Sequence, residues 1–157
     1  MDENARTKFH DLYRKSVKVN NYYKSAIERN MRTVARELGI SGKIKFSHYF
    51  VLCELYHQKS MTLTQLSEAV GVTPPNISNT VNELVNLGLA ERNDDPSDRR
   101  KSIICSSEMG NRFGELIVPL SAQLGKTLFS DDESEIDRVL DHYDAALARI
   151  ESEEHSR

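Results

Sequence analysis

Apolar residues recur along most of this chain every third or fourth position, the period of an amphipathic helix. Residues 4–38 contain neither proline nor glycine and carry Phe9, Leu12, Tyr13, Val17, Tyr23 and Ile27 at such spacings, which predicts one long helix. Gly39-Ile40-Ser41-Gly42 breaks it. A second helix is expected over 47–57, capped by Ser47, with Phe50, Val51, Leu52 and Leu55 for burial. Thr62 and Gln65 then form a capping box ahead of Leu63, Leu66 and Val70, and Gly71 stands where a helix must stop. Val72 is the residue expected to fill the turn. Thr73 is the next N-cap, and Pro74 sits at the first helical position, where its missing N–H costs nothing.

In the helix that Pro74 opens, Ile77, Val81 and Leu84 share one face, while Pro75, Asn79, Asn82 and Asn86 point the opposite way, flanked by Asn76 and Ser78. A wet helix face usually carries Lys and Glu. This one carries short amides and a hydroxyl, groups able to donate and accept at base edges and phosphates. Taken alone it is an ordinary solvated face. The neighbouring sequence changes that reading. Leu87-Gly88-Leu89 ends the helix, and short strands are expected over 89–93 and 101–106 around the charged tip Asp94-Asp95-Pro96-Ser97-Asp98-Arg99-Arg100. A helix-turn-helix joined directly to such a hairpin is a winged helix-turn-helix, and only the wing reads as strand.

The order of these landmarks resembles the MarR (multiple antibiotic resistance regulator) family. They are the leucine-rich first helix, the polar second helix, the exit Leu87, Gly88, Leu89 with Arg92 soon after, and the wing signature Asp98, Arg99, Arg100. The resemblance implies that Arg100 enters a DNA minor groove and that Asp98 holds it in place; an arginine there would read groove width and negative potential. It implies DNA contacts from Thr73, Pro75, Asn76, Ser78, Asn79 and Asn82 as well as Asp98, Arg99 and Arg100. Two departures stand out: the first two turns of the recognition helix lack the family's frequent arginine or lysine, and the strand-to-helix junction, usually Leu-Thr, reads Ser106-Ser107.

Beyond the wing, 107–129 predicts a long helix bearing Phe113, Leu116, Ile117, Leu120 and Leu124, with Pro119 expected to kink it or loosen one turn. A capping box at Ser130-Asp131-Asp132-Glu133 opens a last helix with Ile136, Val139, Leu140, Tyr143, Leu147 and Ile150, and 151–157 reads as a frayed end. The fold class is therefore mainly α: a winged helix-turn-helix with a two-stranded wing and long N- and C-terminal helices. Residues 1–157 form a single protomer. Its lobe over 47–106 binds double-stranded DNA, and the resemblance makes 4–38 and 107–150 dimerisation helices, so that a homodimer addresses a palindromic operator.

Charge refines this picture. Residues 1–50 carry eleven Lys/Arg against five Asp/Glu, whereas 103–157 carry five against twelve, within a net charge of −3. The acidic C-terminal region cannot lie against phosphates and should face away from DNA. The basic first helix balances it across a dimer more readily than it contacts phosphates. No apolar run is long enough to span a bilayer and no signal peptide opens the chain, so a cytoplasmic protein is expected.

Other chemistry finds little support. Cys53 and Cys105 give no disulfide framework, and Cys53 with His57 supplies only two of the ligands a zinc site needs. No cofactor or metal is expected. With no nucleophile beside a base, no phosphate loop and no paired carboxylates, the chain does not read as an enzyme. The resemblance implies a cleft for small phenolic or lipophilic effectors between the dimerisation helices and the DNA-binding lobe; Tyr22, Tyr23 and Tyr49 are candidates to line it, and the same residues would also make an ordinary core. The expected function is a ligand-relieved repressor. A redox- or metal-sensing regulator of the same fold is one alternative, and a winged-helix protein–protein adaptor is another.

Overall fold

The computed structural model describes residues 2–94 and 102–154. In chain order the elements are α1 (Glu3–Glu37), α2 (Phe46–Gln58), β1 (Ser60–Thr62), α3 (Leu63–Val70), α4 (Pro74–Asn86), β2 (Ala90–Asp94), β3 (Ser102–Ser106), α5 (Glu108–Phe129) and α6 (Glu133–Glu154). They divide into two compact units, residues 1–121 and 122–157.

The core of the first unit gathers Ile27, Met31 and Val34 of α1, Val51, Leu52 and Leu55 of α2, Leu66 of α3, Ile77, Val81 and Leu84 of α4, and Phe113 and Ile117 of α5, all buried. Local chemistry places these helices. Thr62 accepts from the Gln65 amide at 3.2 Å while the Gln65 side chain accepts from the Thr62 amide at 2.9 Å, the reciprocal cap expected for α3. Gly71 ends α3 at φ +69°, a conformation that a side chain would strain. The turn after it is secured from within: the Ser67 hydroxyl donates to the Val72 carbonyl. That bond leaves the Val72 side chain outside, so the expectation that Val72 fills the turn fails; it is exposed.

The sheet has three strands in the order β1-β3-β2, all antiparallel. The wing pairs Ala90 with Ser106 through to Asp94 with Ser102. The added strand, β1, pairs Ser60 with Cys105 and Thr62 with Ile103. Three residues are too few for a period-2 pattern to declare itself, which is why the sequence shows strands only in the wing. Lys59, at φ +67°, makes the turn between α2 and β1.

One helix start in the first unit differs from expectation, and another shows a tie that spacing does not reveal. Ser47 does not cap α2; the N-cap position is Lys45, and the His48 ring accepts from its backbone amide at 3.1 Å. At α5 the Ser107 hydroxyl accepts from the Gly110 amide at 2.9 Å and donates to the Gly88 carbonyl at 2.6 Å, tying the helix start to the end of α4. Gly110 permits that approach. A Cβ there would lie 2.0 Å from the Leu89 carbonyl oxygen, and one on Gly114 would lie 2.3 Å from the Tyr56 ring. The helix runs unbroken through Pro119, which removes one N–H from the intrahelical ladder.

In the second unit, α6 is capped by Asp132, which accepts from the Ser134 amide at 2.9 Å. The expected capping box from Ser130 does not form, because Ser130 lies at φ +82° and its hydroxyl accepts instead from the Asp132 amide at 3.3 Å. Leu140, Tyr143, Leu147 and Ile150 form an exposed apolar stripe along α6. Within the first unit, α1 carries another through Phe9, Leu12, Tyr13 and Val17. No helix among the described residues is long and apolar enough to cross a membrane.

Candidate nucleic-acid interface

Helix α4 has two unlike faces. Ile77, Val81 and Leu84 are at most 1 % exposed and fix it to the core. Pro75, Asn76, Asn79 and Asn82 are exposed, and Ser78 is half-buried at their edge. Thr73 occupies the N-cap in extended conformation, as expected, but its hydroxyl makes no capping bond. Pro75, at the second helical position, lacks one of the two amides that an N-cap oxygen can receive. The Thr73 side chain is exposed beside the asparagines.

One member of this face is held from the wing. Arg92 of β2 donates from Nη2 to Asn82 Oδ1 at 3.1 Å. A guanidinium only donates, so Asn82 turns its oxygen toward Arg92 and presents its amino group outward. Outward donors suit base-edge acceptors such as guanine O6 and N7, or phosphate oxygens. Arg92 was legible only as a motif landmark, and its partner lies ten residues earlier on another element.

The other flank of α4 is fastened to the start of α2. Glu83 accepts from Lys45 Nζ and lies 2.8 Å from Nε2 of His48, whose side chain is buried. Lys45, then His48, hold the Glu83 carboxyl below the usual carboxylate range. Burial holds His48 below the ordinary histidine range, against the opposing pull of Glu83. The loop before α2 meets α4 again at Gly42, where a Cβ would fall 2.5 Å from Leu87 Cδ2. Sequence reading missed this joint: Lys45 and His48 have the spacing of a capping box, but their partner is 35 or more residues away.

Beside the joint runs a groove of about 900 Å³. Lys24, Arg32, Lys43 and Lys45 border it, Phe46 and Phe50 contribute aromatic surface, and Asn76 and Asn79 of α4 form part of its wall. Lys24 lies over the Phe46 ring at 5.8 Å, and Arg32 pairs with Glu28 at 3.8 Å. Four cations therefore stand next to the polar face of α4, although α4 itself carries none.

The remaining expected residues lie elsewhere. Asp98, Arg99 and Arg100 fall outside the described residues. Tyr49 is buried and its phenol is pushed up by burial, with Tyr23 and Ser121 as neighbours; Tyr22 is half-exposed on α1. None of the three tyrosines lines the groove. Burial also pushes the Cys53 thiol up, while His57, one turn along α2, is exposed.

Comparison with known proteins agrees with this architecture. The MarR family model matches residues 45–102, which span α2 to the start of β3. No curated protein matches the sequence significantly. Among solved structures, the chain is similar to a mutant MarR from E. coli complexed with operator DNA, at 20 % identity and a TM-score of 0.68, over 87 % of this chain and 95 % of that one. It is also similar to a MarR transcriptional regulator from Methanosarcina mazei Go1, at 19 % identity and a TM-score of 0.73, over 90 % and 99 %. A third is CouR from Rhodococcus jostii RHA1, bound to p-coumaroyl-CoA, at 21 % identity and a TM-score of 0.68, over 83 % and 87 %. The MarR family model thus accounts for residues 45–102, and over the rest of the chain the likeness to these structures is one of fold, a winged helix-turn-helix flanked in sequence by long helices.

Proposed function

We propose that this protein is a transcriptional regulator that binds a palindromic operator as a homodimer and acts as a repressor relieved by a small molecule. The observation that carries the DNA reading is the two-faced α4, with one side locked in the core and the other a set of exposed amides steadied by Arg92. Thr73, Pro75, Asn76, Ser78, Asn79 and Asn82 meet the major groove, and Arg100, braced by Asp98 and beside Arg99, enters the minor groove. The structurally similar E. coli protein, complexed with operator DNA, supports this reading.

The homodimer reading is supported by the apolar stripes of α1 and α6, where Phe9, Leu12, Tyr13, Leu140, Tyr143, Leu147 and Ile150 are all more than half exposed. A monomer seldom leaves so many large apolar side chains in rows. A second copy would cover them. The effector reading rests on the groove, whose volume lies in the range of small-molecule sites and whose cations favour an anionic ligand. The p-coumaroyl-CoA complex of CouR is a precedent in the same fold. A ligand there would stand beside Asn76 and Asn79 and disturb their access to DNA.

Selection of bound fragments from the source genome, with wild type and Asn79→Ala side by side, tests the DNA reading. A palindrome recovered by wild type and depleted for the variant is the expected result. No enrichment by wild type over random fragments would favour the adaptor role instead.

A further inference from the structure

The His48–Glu83 joint has a chemical asymmetry. His48 Nδ1 receives the backbone N–H of Lys45 at 3.1 Å, and a backbone amide can only donate. Nδ1 must therefore carry a lone pair. Its other nitrogen, Nε2, lies 2.8 Å from a Glu83 oxygen and must carry the hydrogen. Both partners are satisfied by one species, the neutral imidazole protonated on Nε2. A second proton could go only to Nδ1, where it would face the Lys45 N–H and break the cap of α2.

We propose that neutral His48 is a positioning residue for DNA binding: it fastens the recognition helix α4 to the capped start of α2, and its protonation on acidification breaks that cap, displaces the joint beneath α4 and weakens the complex. The inference rests on the DNA-binding reading proposed for α4. The charged groups at the joint are Glu83 from α4 and Lys45 from the start of α2. Lys24, Glu28 and Arg32 of α1 border the same groove as these two, with Lys43 of the preceding loop. Glu83 favours a charged ring, whereas Lys45 and burial oppose it, and the accepted N–H sets the outcome. With the cap of α2 broken, α4 would keep its core contacts and its Glu83 partner, but that partner would no longer be anchored by the Lys45 amide, so Asn76, Asn79 and Asn82 would no longer be held in place to meet the bases together.

The test uses the full-length protein from pH 8 to pH 5. Long-range proton–nitrogen NMR of the His48 ring reads its tautomer and charge. Fluorescence anisotropy with the genome-selected fragment reads affinity for wild type, His48→Gln and His48→Leu. Glutamine at this third helical position is the usual capping-box partner and cannot take a proton in this range.

The expected ring is neutral and Nε2-protonated at pH 7, and wild-type affinity falls on acidification by up to about tenfold per pH unit for each protomer. His48→Gln restores binding at pH 7.5 without that fall, and His48→Leu binds more weakly at every pH. A ring already charged at pH 7, or the same pH curve for wild type and His48→Gln, overturns the proposal. Failure of wild type to bind any selected fragment at pH 7.5 removes the DNA reading and the proposal with it, and the ring titration then shows separately whether the neutral joint exists.

Discussion

Single side chains do more in this protein than their types suggest. Arg92 fixes which end of the Asn82 amide is offered outward, Ser67 closes the turn that Val72 was expected to fill, and His48 serves as both cap and cross-link. Hydrophobic spacing shows none of these, because each depends on a partner from another element or on the chain path through a turn. His48 also sets a pH dependence of stability. Its folded-state affinity for a proton is lower than that of an ordinary histidine at 6.5, so the unfolded chain binds the extra proton first. The stabilisation is complete above about pH 6.5 and is lost as pH falls toward the depressed folded value. A urea midpoint that declines over this range in wild type, with a shallower decline in His48→Gln, is the expected outcome.

At the scale of elements, much of the fold was legible. The helices of the winged module come from spacing and from punctuation: the Thr62–Gln65 box, Gly71, the Pro74 start and the Gly88 exit at φ +72° all stand where expected. The candidate face on α4 was equally legible, since its amides stand opposite a strict apolar stripe. Less visible were β1, too short to show a period, and the caps of α2 and α6, where nearby residues competed for the same role. Close helix packing was also hidden, since glycine inside a helix looks merely permissive. Gly110→Ala sets a methyl against the Leu89 carbonyl, a backbone atom that cannot swing aside. Overpacking of this kind costs about 1–3 kcal/mol, so the urea midpoint should fall clearly while α5 remains helical by circular dichroism.

For the whole molecule, the apolar stripes and the charge segregation point the same way. The basic N-terminal third and acidic C-terminal third leave the polar face of α4 and its neighbouring cations as the surface suited to phosphates. Leu12→Glu and Leu147→Glu each place a charge in an exposed apolar row. In sedimentation equilibrium each should shift the protein from dimer toward monomer, whereas charge reversal at exposed Lys8 should not. The most direct test of the central claim is hydroxyl-radical footprinting of wild type on its selected fragment. The account predicts two protected patches on one face of the duplex, about one helical turn apart, as two recognition helices of a symmetric dimer require. A single patch, or none at protein concentrations that saturate the fragment, would contradict it.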